Sequence, residues 1–140
     1  MGSWWSPIMR IGANDKLLID YYQRLKRRKQ LKNEIDTLEN SRKQLECYSM
    51  GVYRQSIINR INANKELLAK KNLEYNILLE YTLKIESIIL VLDEEDKEIC
   101  DMRFNKQRDY QAIGQSLCLS KSTVCRKVKS IINKISKELE

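Results

Sequence analysis

The residues of this sequence that could do chemistry are mostly cationic, and they are concentrated near the C-terminal end. Between Arg103 and Lys137, nine Lys and Arg side chains stand against a single acid, Asp109. Ammonium and guanidinium groups bind phosphate oxygens, and a guanidinium can also donate two hydrogen bonds to the major-groove edge of a guanine. The chemistry that this segment favours is recognition of a polyanion such as nucleic acid.

The sequence lacks the residue patterns that are typical of catalytic and metal-binding sites. The chain has no His, and its four cysteines (Cys47, Cys100, Cys118 and Cys125) include no C-x-x-C pair of the kind that holds zinc. No glycine-rich phosphate loop or nucleophile motif occurs. We therefore expect a protein that is not an enzyme, binds no cofactor or metal, and keeps its cysteines as free thiols.

Charge and hydropathy indicate where such a protein would work. Lys and Arg outnumber Asp and Glu by 26 to 19, a net charge of +7. Residues 1–10 have no apolar run after a basic start, so no secretory signal is predicted. The apolar stretch at residues 85–92 is too short to cross a bilayer. We expect no membrane association and a cytoplasmic location.

The cationic segment needs two short helices to position it. A helix at residues 110–117, a turn at residues 118–120 and a last helix from Lys121 to Leu139 are predicted, with Ser120 as N-cap. Two helices that cross closely need a tiny residue, here Gly114. The last helix places apolar residues inward at Val124, Val128, Ile131, Ile135 and Leu139. Its outward side carries Ser122, Arg126, Lys129, Asn133 and Lys137.

Three further helices are expected before this pair. Residues 1–14 form an irregular lead-in, and Asn14 or Asp15 caps a helix that ends near residue 48. A break at residues 49–51 precedes a second helix over residues 53–92, and Asp93 caps a third over residues 94–104. The first two helices form a hairpin or pair with a second subunit, and a lone hairpin would be marginally stable, which favours oligomerisation. Asn64 and Lys71 interrupt the apolar seam and either fix its register or face water.

The predicted fold class is all-α, with a long N-terminal helical hairpin or coiled coil followed by a C-terminal three-helix helix-turn-helix unit. Three regions follow: a lead-in at 1–14, a coiled-coil or oligomerisation region at 15–92, and a helix-turn-helix domain at 93–140.

The C-terminal pattern also resembles a known family. An acidic helix start follows Leu92, and an apolar–Arg–aromatic run ends that helix. Farther on come residues at the spacing of the family's helix-turn-helix: Tyr110, Ile113, Gly114, Leu117, Leu119, Ser120, Ser122, Thr123 and Val124. Together they resemble region 4 of sigma-70-type factors. Cys118 stands where that family usually has a glycine of positive φ, a departure that costs on the order of 1 kcal/mol.

The resemblance covers about a third of the chain and implies DNA binding. A helical N-terminal part before a lone region-4-like unit is similar in architecture to the phage late-gene regulators of the ArpU and RinA type. It implies a transcriptional activator of a phage or prophage that acts on double-stranded DNA in a bacterial cell, with RNA polymerase as a further partner. The family's base-reading face falls on Lys121, Ser122, Arg126 and Lys129, and Thr123 and Lys127 would hold phosphates.

Two alternatives stay open. A small terminase-like component of phage DNA packaging would share a helix-turn-helix and an oligomerising helical part. A protein-only interaction module would use the same fold to bind RNA polymerase or a repressor without touching DNA.

Overall fold

A computed structural model describes residues 13–48 and 55–139, and regular secondary structure in these residues is helical throughout. The all-α prediction is confirmed. The elements are α1 (Ala13–Tyr48), α2 (Gln55–Leu90), α3 (Glu94–Cys100), a π-helical segment (Asp101–Asn105), α4 (Tyr110–Leu117) and α5 (Lys121–Leu139). The predicted break at residues 49–51 and all but the last two residues of the predicted lead-in lie outside the described residues.

The chain forms two compact units. We call residues 25–81 the hairpin unit, and residues 13–24 together with 82–139 the terminal unit. The terminal unit is larger than the segment 93–140 that the sequence pattern singled out, because it also includes the first turns of α1 and the last turns of α2. None of the described helices is both long enough and apolar enough to cross a membrane.

In the hairpin unit α1 and α2 run antiparallel, and the predicted hairpin is confirmed. Lys71 Nζ lies 2.8 Å from Glu34 Oε2, and Asn64 Nδ2 donates to the Leu38 carbonyl oxygen at 3.3 Å. Both polar interruptions of the α2 seam therefore contact α1, and they favour one alignment of the two helices. The apolar side chains buried in this unit are Leu31, Ile35, Leu68 and Leu78.

The start of α1 differs from the prediction. The helix includes Ala13, and Asp15 lies within its first turn with its side chain buried. The Asp15 carboxylate accepts a hydrogen bond from Arg103 Nη2 at 3.4 Å, within the terminal unit. Asp15 is thus an ion-pair partner of a residue 88 positions away, and not a cap.

The predicted helix at residues 94–104 is present in two parts. Asp93 caps it as expected, since its Oδ1 accepts from the Asp96 amide at 2.8 Å. The α-helical hydrogen bonds end at Cys100, and wider π-helical turns continue to Asn105. Ile99 and Phe104 are fully buried, whereas Met102 between them is only half-buried.

Candidate nucleic-acid interface

The helix α4 forms where the sequence places it. It spans Tyr110–Leu117, and the Asp109 carboxylate caps it by accepting from the Ala112 amide at 2.8 Å. Ile113 and Gly114 are buried on its inner side. The cap at Asp109 was not anticipated from the sequence, although an Asp directly before a helix is the usual signal for one.

The turn after α4 uses a left-handed residue. Cys118 has φ 58° and ψ 41°, and its backbone N–H donates to the Gly114 carbonyl oxygen. This confirms that the chain adopts positive φ at this position. The β-carbon of Cys118 therefore stores backbone strain of about 1 kcal/mol in the turn.

Gly114 allows the turn to approach α4. A β-carbon at this position would lie 2.6 Å from the Leu119 carbonyl oxygen, far inside van der Waals contact. The Leu119 amide also donates to the Gly114 carbonyl oxygen at 2.8 Å. The prediction of a tiny residue here is confirmed, and the atom that requires it belongs to the backbone of the turn.

The N-terminal turn of α5 is capped by Ser120, as predicted. Ser120 Oγ accepts from the Thr123 amide at 3.2 Å and lies 2.7 Å from Thr123 Oγ1. The Thr123 side chain is half-buried, and its hydroxyl also lies 3.5 Å from Arg126 Nη2. Thr123 is therefore engaged in holding the helix start and the Arg126 side chain.

The two sides of α5 separate as the spacing predicts. Val124, Val128, Ile131 and Ile135 are buried, and Leu139 is half-buried. The exposed residues on the opposite side are Ser122, Arg126, Lys129, Asn133 and Lys137. The aliphatic side packs towards α3 and α4, so the polar side of the helix is left open to solvent.

Three of the six predicted contact residues share this open side. Ser122, Arg126 and Lys129 occupy successive turns, and Lys121 is exposed at the helix start. Neither Arg126 nor Lys129 forms an ion pair with an acid within the described part of the chain. We define Ser122, Arg126 and Lys129 as the outer ridge.

Lys127 lies on a different side of α5. Its Nζ is 2.7 Å from Glu95 Oε1 on α3, and the hydrogen bond to this carboxylate raises the pKa of Lys127. To hold a phosphate, Lys127 would have to leave Glu95. Its predicted phosphate role stays a prediction, and the structure shows a contact that ties α5 to α3.

Acidic residues collect on α3, away from the outer ridge. Glu94, Glu95 and Asp96 occupy the first turn of that helix. Burial and the neighbouring Asp93 raise the pKa of Asp96, against the opposing charges of Lys127 and Lys134. The terminal unit thus has an acidic helix start, and α5 has a cationic side opposite its buried stripe.

A buried arginine, which the sequence pattern did not single out as a structural residue, joins the parts of the terminal unit. Arg103 in the π-helical segment is 3% exposed, and its guanidinium carbon lies 4.2 Å from the centre of the Tyr110 ring. Its Nη1 donates to the Arg108 carbonyl oxygen at 3.3 Å, in addition to the contact with Asp15. This side chain connects the start of α1 with the loop before α4 and the first residue of α4.

A further cation borders α4. A shallow groove of about 540 Å³ is lined by Gln107, Arg108, Asp109, Ala112, Gln115 and Ser116. The Arg108 side chain is exposed at the edge of this groove. Arg108 is one of the nine basic residues of the C-terminal segment, but the sequence pattern assigns it no contact. In the part of the chain that the structure describes, no group of three or more Cys, Asp or Glu side chains could hold a metal ion.

Comparison with known proteins identifies the family without a function. The chain belongs to a family described as a protein of unknown function (DUF722), whose model matches residues 13–137. No curated protein and no solved structure matches the chain.

Proposed function

We propose that this DUF722 family member is a sequence-specific DNA-binding transcriptional regulator that places α5 in the major groove of a duplex. The observation that carries the proposal is the open outer ridge of α5, held by a capped turn with the geometry of a helix-turn-helix. A major groove of about 12 Å accepts one α-helix. Side chains on the first turns of such a helix contact the base edges.

Individual roles follow from the positions on α5. Arg126 is the first candidate for a guanine, because its guanidinium can donate to two acceptors of that base. Lys129 and Ser122 flank it on the outer ridge, and Lys121 stands at the helix start, where backbone amides also favour phosphate. The Thr123 hydroxyl accepts a hydrogen bond from the Arg126 guanidinium and helps to position it. Lys127 would contact phosphate only if its ion pair with Glu95 were broken.

The wider setting rests on the resemblance to sigma region 4 and to phage late-gene regulators. We propose an activator of late genes of a phage or prophage, acting in the bacterial cytoplasm and contacting RNA polymerase. A single helix-turn-helix binds DNA weakly, so the protein would act as a dimer or higher oligomer on paired half-sites.

Footprinting on the DNA that flanks the protein's own gene tests this proposal. Arg126→Glu and Lys129→Glu should each weaken binding by about 10- to 100-fold, since a base contact is lost and a charge is reversed against phosphate. Lys43→Glu makes the same charge change at an exposed lysine of the hairpin unit and is the matched control. Helical circular dichroism shows that each variant is folded.

The result also separates the alternatives. If both ridge variants protect the same DNA as the wild type, α5 does not read the duplex and a protein-only module is favoured. A ring of many subunits that binds DNA would favour the packaging component.

A further inference from the structure

Two exposed apolar side chains of the hairpin unit, Leu73 and Ile77, lie on one side of α2. Leu73 is 63% exposed and Ile77 is 57% exposed, although both lie in the middle of a 36-residue helix. They are four residues apart, so they are neighbours along one line of the helix surface. The facing part of α1 pairs with another side of α2, through Lys71 and Asn64.

The hairpin unit has a small core of its own. Among the described residues it buries four apolar side chains, against fourteen in the terminal unit. Two helices that bury one thin seam are marginal in water, because helical stability in proteins comes mostly from packing of an apolar face. A further partner on the α2 surface would supply the missing burial.

The charges beside Leu73 and Ile77 indicate which partner fits. Lys70, Leu73, Ile77 and Glu80 follow each other at spacings of three, four and three residues, so they share one face, and all four are exposed. Neither Lys70 nor Glu80 forms an ion pair in the described part of the chain. In an antiparallel copy the same face presents these residues in the reverse order: Glu80, Ile77, Leu73 and Lys70. Two antiparallel copies of the face are therefore complementary, with opposite charges and apolar side chains in register.

We propose that a second copy of this chain packs antiparallel on this face of α2. Leu73 then lies opposite Ile77 of the second copy, and Lys70 lies opposite Glu80 of the second copy. The two-fold axis passes at the level of Tyr75, and each contact occurs twice, as an isologous interface requires. In a parallel pair, Lys70 would face Lys70 and Glu80 would face Glu80, and both contacts are repulsive.

The seam is short. Ten residues separate Lys70 from Glu80, a length of about 15 Å along the helix axis. A contact of this length is smaller than a standard protein interface, so we expect a weak dimer that forms only at high protein concentration. The proposal deepens the oligomeric part of the proposed function by naming the surface, and it does not depend on DNA binding.

Analytical ultracentrifugation of the full chain, without DNA and with reductant, tests the proposal. The wild type should pass from monomer to dimer as its concentration rises. Leu73→Asp should weaken the dimer by at least about tenfold, because it places a charge in the seam. Leu90→Asp is the matched control, since Leu90 is 63% exposed, as Leu73 is, but lies at the end of α2 beyond the proposed interface and should leave the dimer intact.

A charge exchange tests the antiparallel register. Lys70→Glu and Glu80→Lys should each weaken the dimer, and the double variant K70E/E80K should restore it, because opposite charges meet again. A wild type that stays monomeric, equal effects of Leu73→Asp and Leu90→Asp, or a double variant as weak as the single ones would each overturn the proposal. Arg126→Glu should leave the mass unchanged, so unaltered DNA binding by this variant together with an intact dimer would count only against the proposed function.

Discussion

Removal of the Asp15 carboxylate should destabilise the terminal unit far more than an ordinary surface substitution. The side chain of Asp15 is 11% exposed and that of Arg103 is 4% exposed. Asp15→Ala leaves the guanidinium in the core without its counter-charge, which for buried pairs costs about 3–5 kcal/mol in the free energy of unfolding.

The geometry places the cost at the lower end of that range. The contact of 3.4 Å is long for a charged hydrogen bond, and Arg103 keeps the Tyr110 ring and the Arg108 carbonyl oxygen. We therefore expect a loss of about 3 kcal/mol, which for a chain of this size lowers Tm by roughly 10 °C. Urea unfolding followed by circular dichroism at 222 nm measures it.

A double-mutant cycle distinguishes an ion pair from two independent packing effects. Arg103→Met alone leaves a buried carboxylate, whereas the double variant D15A/R103M removes both charges and should recover much of the loss. A cost of Asp15→Ala below about 1 kcal/mol, or single costs that simply add in the double variant, would show that no buried ion pair stabilises the protein here. The same contact predicts that a fragment of residues 93–140, which lacks Asp15, unfolds more readily than the full chain.

Further predictions concern the turn and the cysteines. Gly114→Ala should cost about 2 kcal/mol or more in urea unfolding, because its β-carbon meets the Leu119 carbonyl oxygen, while the exposed Gln115→Ala should be near neutral. Cys118→Gly should stabilise the protein by about 1 kcal/mol by removing the β-carbon at φ 58°, and Cys118→Ala should not; equal effects would show that no strain is stored there. Burial raises the pKa of the Cys100 thiol from 9.0 to about 12, so at pH 8 it should stay unreacted with a thiol reagent in the folded protein, unlike the exposed Cys118. Because the unfolded chain releases this proton first, the Cys100 contribution to stability should fall as pH rises from about 9 to 12, and Cys100→Ala should remove that slope.

The helix-turn-helix could be predicted from the sequence because local interactions determine it. Ser120 caps α5 through contacts with a residue three positions away, and the left-handed Cys118 follows from the turn itself. The stripe from Val124 to Ile135 is a consequence of helical periodicity, so its burial and the exposure of Arg126 and Lys129 follow from spacing alone. Two long apolar seams with a break between them also indicate two paired helices, but the pattern leaves open whether they form a hairpin or pair with a second subunit.

Only the tertiary structure decided which residues far apart in the chain contact each other. Asp15 reads as a helix cap, and its pairing with Arg103 depends on how α1 meets a segment 88 residues later. The sequence predicts Lys127 as a phosphate ligand, but because α3 packs on α5, its ammonium group forms an ion pair with Glu95. Periodicity states which side of a helix is apolar, but the partner of a polar side chain is set by three-dimensional packing, and that information is not local.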